Sequence, residues 1–147
     1  MTSVAHTEPG RRCAVVFNPT KISDQFRVSM EENLQRRGWT GTLWLETSAE
    51  DPGRAMTKQA IAEHVDLVIA AGGDGTVRMV ADGLAHSGIP MGLIPAGTGN
   101  LLARNLDVPL KELAAIEVAV DGHTRAIDLM GLQQSPVRDA DVRAGCR

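Results

Sequence analysis

The stretch LVIAAGGDGTVRMVADGL, residues 67–84, joins a continuous apolar segment to a cluster of glycines and then to a segment with helical spacing. Residues 67–71 carry no polar side chain, which is typical of a parallel strand that is covered on both faces. After the glycines, Val77, Val80 and Leu84 recur at intervals of three and four residues, which indicates an amphipathic helix. The stretch therefore predicts a strand, a glycine-rich turn and a helix.

The rest of the chain repeats this alternation of strand and helix. Apolar segments predict three further strands at residues 13–17, 41–47 and 89–95. Helical spacing and cap residues predict further helices at residues 23–38, 54–64, 99–106 and 110–122. Strands that alternate with helices in this way form right-handed parallel sheets. We therefore expect an α/β fold with a Rossmann-like parallel sheet covered by helices on both faces.

Length, charge and cysteine content narrow the functional classes. A chain of 147 residues with 43% hydrophobic residues has room for one domain with a core. A net charge of -3 without a Lys/Arg run argues against nucleic acid as a partner. Its two cysteines form neither a disulfide framework nor a metal-ligand pattern, and no segment approaches the roughly 20 apolar residues of a membrane span. We expect a cytoplasmic protein that meets lipid only from the water side.

The glycine-rich turn has the composition of a phosphate site. Gly72, Gly73 and Gly75 follow a strand end, where ligands gather in parallel sheets, and glycines allow positive φ and close approach of N–H groups to an anion. Asp74 would repel phosphate unless a divalent cation lies between them or the carboxylate accepts a proton from an attacking hydroxyl. Both explanations fit phosphoryl transfer. The alternative is a tight βα turn in which Asp74 or Thr76 only caps the helix.

Two further turns of related composition follow other strands. The stretch IPAGTGNLLAR, residues 94–104, repeats the glycine-hydroxyl design with Gly97, Thr98, Gly99 and Asn100. The stretch NPTK, residues 18–21, places the hydrogen-bonding side chains of Asn18 and Thr20 beside the charge of Lys21. We expect the three turns to converge on one polyphosphate. The sequence contains neither a P-loop motif nor a GxGxxG motif at the first βα turn.

The segments VVFNPTK, GGDGT and PAGTGN resemble, in this order, the catalytic domain of diacylglycerol kinases and of related bacterial lipid, sphingosine and ceramide kinases. The resemblance covers residues 13 to about 130. It implies transfer of the γ-phosphate of ATP to a lipid hydroxyl at a membrane surface, with ATP and Mg²⁺ as cofactors. It also implies that the nucleotide is held by Asn18, Thr47, Thr98 and the loop of Gly72, Gly73, Asp74, Gly75 and Thr76. Asp74 would act through magnesium or as the base.

This sequence departs from the family at two motifs. Family members often continue GGDGT with a small apolar residue, Asn and Glu, whereas Val77, Arg78 and Met79 follow here. Leu101 stands where an Asp commonly follows the second glycine motif. Up to two carboxylates near the metal are thereby absent, so the resemblance does not identify the magnesium ligands. Arg78, which stands where the family often has Asn, would instead face the phosphates.

The predicted domain organisation comprises four segments. They are a disordered N-terminus at 1–12, an ATP-binding domain at 13–122, the start of the family's second, β-rich domain at 123–132, and a polar tail at 133–147. We expect most of the second domain to be missing, as in a truncated form. The strand predicted at 123–130 would then lack partners and could pair with a second copy, which suggests a homodimer.

Two other functions are compatible with these motifs. An NAD kinase-like enzyme is an alternative because that family shares GGDGT. A nucleotide-binding fragment without catalysis is the other, because the portion that would present the lipid is expected to be missing.

Overall fold

The strand predicted at residues 67–71 lies inside a parallel sheet. The computed structural model describes residues 11–96, 112–121, 123–128, 133–134 and 140–144, so the helix predicted at 99–106 lies outside the described residues. The four parallel strands are β1 (Cys13–Phe17), β2 (Leu43–Glu46), β3 (Leu67–Gly72) and β4 (Met91–Pro95). They lie in the order β2-β1-β3-β4, so β1 and β3 are the inner pair.

Four described helices cover this sheet, and they are α1 (Asp24–Arg36), α2 (Arg54–Ala62), α3 (Asp74–Leu84) and α4 (Glu112–Asp121). Helix α2 packs beside α3, and α1 contacts α4. Every residue of β1 and β3 is buried, as expected for strands covered on both faces. The prediction of an α/β fold with helices on both faces of a parallel sheet is confirmed.

Helix α1 shows how local sequence fixes an element. The Ser23 hydroxyl accepts a hydrogen bond from the Phe26 N–H at 3.1 Å and caps the helix. Phe26, Met30 and Leu34 are buried, as the four-residue spacing predicted. Gly38, two residues beyond the helix, has a φ of 87°, a conformation that glycine adopts without steric cost. The chain therefore turns there towards β2.

Two glycines allow close packing between layers. A methyl group at Gly92 in β4 would lie 2.8 Å from the Ala119 Cβ of α4, and one at Gly83 in α3 would lie 2.6 Å from the Thr57 Cγ2 of α2. Both distances are shorter than carbon atoms tolerate. A larger residue at either position would push a helix away from its neighbour.

The segment after α4 differs from the expectation of an unpaired strand. It forms β5 (His123–Asp128), β6 (Gln133–Gln134) and β7 (Ala140–Ala144). Strand β7 lies between β4 and β5, parallel to β4 and antiparallel to β5, and β6 pairs with the end of β5. The predicted absence of partners is therefore wrong, because β7, of sequence ADVRA, alternates apolar and charged residues as a strand does. The division into domains stays a prediction.

Among the described residues, no helix combines the length and the apolar character needed to cross a membrane.

Candidate functional site

The carboxyl ends of the four parallel strands meet at one edge of the sheet, which we call the rim. Three backbone hydrogen bonds extend the strand pairing by one residue at this edge. They run from the N–H groups of Asn18, Thr47 and Ala96 to the carbonyl groups of Ala71, Phe17 and Gly72, at 3.0, 2.9 and 3.0 Å respectively. The structure therefore brings Asn18, Thr47 and the Gly72 turn to one edge of the sheet. For Asn18 and the Gly72 turn, the parallel topology predicted this.

The turn after β1 is held in place by Asn18. Its side-chain oxygen accepts hydrogen bonds from the N–H and the hydroxyl of Thr20, at 3.0 and 2.7 Å, and its backbone carbonyl accepts one from the Lys21 N–H at 2.9 Å. The NH₂ group of Asn18 is then the part of this side chain that could donate to an anion. Lys21 is exposed at the same turn.

The central turn connects β3 to α3. Gly73 is the N-cap residue in an extended conformation, and the first helical hydrogen bond runs from the Val77 N–H to the Gly73 carbonyl at 3.1 Å. The N–H groups of Asp74, Gly75 and Thr76 precede this bond and therefore have no acceptor in the helix backbone. Asp74 and Gly75 are exposed, whereas Thr76 is buried.

None of the glycines of this turn, Gly72, Gly73 and Gly75, adopts a positive φ, so backbone conformation does not explain why they are glycines. Glycine permits positive φ without requiring it. A Cβ at Gly72 would lie 3.0 Å from the Thr76 Oγ1, so Gly72 leaves room for the threonine. A Cβ at Gly75 would meet no atom within 4 Å, so no neighbour in the described structure requires a glycine there. The surface around Gly75 is open to a ligand.

The three helices that begin at the rim differ in their caps. The Ser23 hydroxyl caps α1, and the Asp51 carboxylate accepts hydrogen bonds at the start of α2. Helix α3 has Gly73 as its N-cap, a residue that has no side chain to accept a hydrogen bond. Asp74 lies in the first turn of α3, where a negative charge also favours the helix dipole, so the alternative that Asp74 or Thr76 only stabilises the helix start stays open. The N-terminus of α3 can therefore receive an anion.

The cap of α2 and the turn before it are features that the sequence interpretation did not assign. The N–H groups of Gly53, Arg54 and Ala55 donate to Asp51 at 2.9, 2.6 and 3.0 Å. These bonds, the one from Gly53 first, hold the pKa of the Asp51 carboxyl below its usual value. Gly53 has a φ of 149° and is buried against Val80 of α3. The signal in the sequence is the DPG triplet at residues 51–53, which is typical of a turn and does not by itself identify a cap.

Of the remaining candidates, Thr47 lies at the rim and is 7% exposed. The second glycine-rich turn, with Gly97, Thr98, Gly99 and Asn100, lies outside the described residues. The residue before it, Ala96, is joined to the rim through its hydrogen bond to Gly72. The roles of these four residues stay predictions.

A magnesium ion fits the site in part. Among the described residues there is no cluster of three or more His, Cys, Asp or Glu side chains that could hold a metal. Mg²⁺, however, is usually bound by one or two carboxylates together with substrate phosphates and water. Exposed Asp74 beside the N-terminus of α3 could supply one such carboxylate.

Comparison with known proteins decides the family. The family model of the diacylglycerol kinase catalytic domain matches residues 12–132. The chain belongs to this family. The resemblance of NPTK, GGDGT and PAGTGN to diacylglycerol kinases is thereby confirmed.

Curated relatives and solved structures agree with this assignment. The chain is 32% identical over 125 residues to the diacylglycerol kinase of Staphylococcus haemolyticus, covering 81% of this chain and 38% of that protein. It is 35% identical over 125 residues to that of Bacillus subtilis, covering 81% of this chain and 41% of the relative. A crystal structure of a diacylglycerol kinase from Bacillus anthracis superposes with a TM-score of 0.63 at 27% identity, covering 80% of this chain and 46% of that one. The chain thus spans about two fifths of the length of these curated diacylglycerol kinases.

Proposed function

We propose that this chain provides the nucleotide-binding part of a lipid kinase that transfers the γ-phosphate of ATP to a lipid hydroxyl. The observation that carries the proposal is the N-terminus of α3. Its N-cap residue is Gly73, which has no side chain, and the helix begins at the rim, beside Gly75, where an added methyl group would meet no atom within 4 Å. Membership of the diacylglycerol kinase catalytic domain family supports the reaction type.

The proposed nucleotide site uses groups from three strand ends. Phosphate oxygens accept hydrogen bonds from the first N–H groups of α3, where the helix dipole also favours negative charge. Asn18 donates from its side-chain amide, and Lys21 adds a point charge from the same turn. Thr47 contributes at the end of β2. Residues Gly97, Thr98, Gly99 and Asn100 complete the site in this proposal because they follow Ala96, which is bonded to Gly72.

Asp74 is the proposed catalytic residue. Its carboxylate either accepts the proton of the lipid hydroxyl or holds Mg²⁺ against the phosphates. When bound, Mg²⁺ would neutralise charge on the transferred phosphoryl group. The protein contributes mainly by positioning the reactants and by supplying hydrogen bonds where charge develops.

The lipid side of the reaction is a further part of the proposal. Because the curated relatives are more than twice as long as the matched segment, we assign selection of the lipid mainly to the part of these proteins that the match does not cover. We propose peripheral contact with the cytoplasmic face of a membrane and leave a homodimer as a further proposal.

One experiment separates the proposed function from its alternatives. The chain is incubated with γ-labelled ATP and Mg²⁺, in parallel with vesicles containing diacylglycerol and with NAD, while ATP binding is measured by calorimetry. Labelled lipid supports the proposal, whereas labelled NAD phosphate selects the NAD kinase alternative. Binding without transfer to either acceptor selects the non-catalytic alternative. A chain that binds no ATP would overturn all three.

A further inference from the structure

Helix α3 presents a stripe of charged side chains to solvent. Asp74, Arg78 and Asp82 lie four residues apart along the helix, and all three are exposed. The opposite side of the helix is buried and consists of Thr76, Val77, Val80, Ala81 and Leu84. Arg78 is therefore on the same side as Asp74, one turn further from the rim.

The Arg78 side chain can reach the N-terminus of α3. Helical side chains lean towards the N-terminus of their helix, and one turn rises by only about 5.4 Å. An extended arginine spans that distance. Its guanidinium group can therefore stand level with Asp74 and beside the open surface at Gly75.

Stability of the fold does not explain this arginine. Arg78 is exposed and fills no space in the core. A positive charge near a helix N-terminus also opposes the helix dipole. Ion pairs four residues apart could offset that cost, but Arg78 forms none with Asp74 or Asp82 in the described structure, where the ion pair found within a helix joins Arg27 to Asp24.

We infer that Arg78 binds the nucleotide phosphates beyond the α-phosphate, an inference that rests on the proposed function. A planar guanidinium donates two parallel hydrogen bonds to phosphate oxygens, which gives the contact both charge and orientation. In a chain with a net charge of -3, the positive charge that attracts a polyphosphate must be supplied locally. Arg78 supplies it at the point where the helix begins.

The test compares binding of ATP and AMP to the full chain and to three variants. Arg78→Gln removes the charge, Arg78→Lys keeps the charge without the paired donors, and Arg36→Gln is the matched control. Arg36 is an exposed arginine in the last turn of α1, at the opposite edge of the sheet. Thermal midpoints measured without nucleotide show whether each variant is folded.

We expect Arg78→Gln to weaken ATP binding about ten-fold or more, as for a lost charge-assisted hydrogen bond, and to leave AMP binding unchanged. The ATP affinity of Arg78→Lys should lie between those of Arg78→Gln and the wild type, and the ATP affinity of Arg36→Gln should equal that of the wild type. Unchanged ATP binding by Arg78→Gln, or an equal loss for ATP and AMP, would overturn the inference alone. A wild-type chain that binds neither nucleotide would overturn the proposed function with it.

Discussion

The side chain of Thr76 lies against the α-carbon of Gly72, so that a methyl group at residue 72 would be 3.0 Å from Oγ1 and 3.1 Å from Cβ of the threonine. This contact joins the last residue of β3 to the first turn of α3. Thr76 is only 5% exposed, so its side chain cannot turn away freely. The glycine thereby sets the angle at which the helix leaves the sheet.

Gly72→Ala should therefore destabilise the protein. The added methyl must displace Thr76 or tilt the start of α3, and overpacking of this kind costs about 1–3 kcal/mol. The free energy of unfolding from urea denaturation measures the effect. The double variant Gly72→Ala with Thr76→Ala is the control, because removing Oγ1, the atom nearest to the added methyl, should restore part of the loss. No difference between wild type and Gly72→Ala would contradict the close contact.

Gly75→Ala should have the opposite effect on stability. A methyl at this position meets no atom within 4 Å, and alanine favours a helix over glycine by roughly 1 kcal/mol. The midpoint of unfolding should rise in the absence of nucleotide. Because we place the phosphates against this surface, the affinity for ATP should fall. A variant that gained stability and kept full ATP affinity would show that the ligand does not approach Gly75.

Asp74→Asn should lower the rate of lipid phosphorylation by about 10²–10⁴-fold, the range for loss of a proton-accepting group. Because Asp74 is an acidic residue in the first turn of α3, the variant should remain folded and lose about 0.3–1 kcal/mol of the free energy of unfolding. Asp82→Asn is the matched control, since it removes an exposed carboxylate two turns along the same helix. Measurement of kcat for the three proteins decides the matter, and equal values for wild type and Asp74→Asn would reject the catalytic role.

Asp51 should make stability depend on acid pH. Its pKa is lowered in the folded state by the backbone hydrogen bonds, so the stabilisation is present above the unfolded pKa of about 3.9 and is lost as the pH falls through the folded value. Asp51→Ala should unfold at lower urea concentrations than wild type at pH 7, and the gap should narrow below about pH 4. Glu50→Ala, next to it and exposed, should show no such gap. A gap that stayed constant with pH would contradict the charged cap.

Much of the framework could be predicted from the sequence because it depends on simple periodicity. The apolar run of Leu67 to Ala71 is short and is followed by glycines, which is typical of a strand covered on both faces, and the structure confirms it. The meeting of Asn18 and Gly72 at one rim follows from parallel strands that end at the same edge. Patterns of this kind are local, so a single sequence displays them.

The remaining features depend on how strands and helices pack against one another. Residue 72 must be small because a larger side chain would collide with Thr76. This contact follows from the angle between β3 and α3, which composition does not reveal. Strand β7 was missed because its alternation is short and its neighbour β4 lies about 50 residues earlier in the chain. In each case the partner had to be known before the role of the residue could be recognised.

The hydrogen bond from the Asn18 N–H to the Ala71 carbonyl has a consequence for dynamics. Because the first turn is tied to the central strand by the sheet's own ladder, it cannot open unless that ladder opens as well. An anion held there therefore opposes the fluctuations that expose the sheet to solvent. ATP should slow amide hydrogen exchange in β1 and β3 as well as in the turns. Unchanged exchange rates in β1 and β3 would mean that the rim moves independently of the sheet.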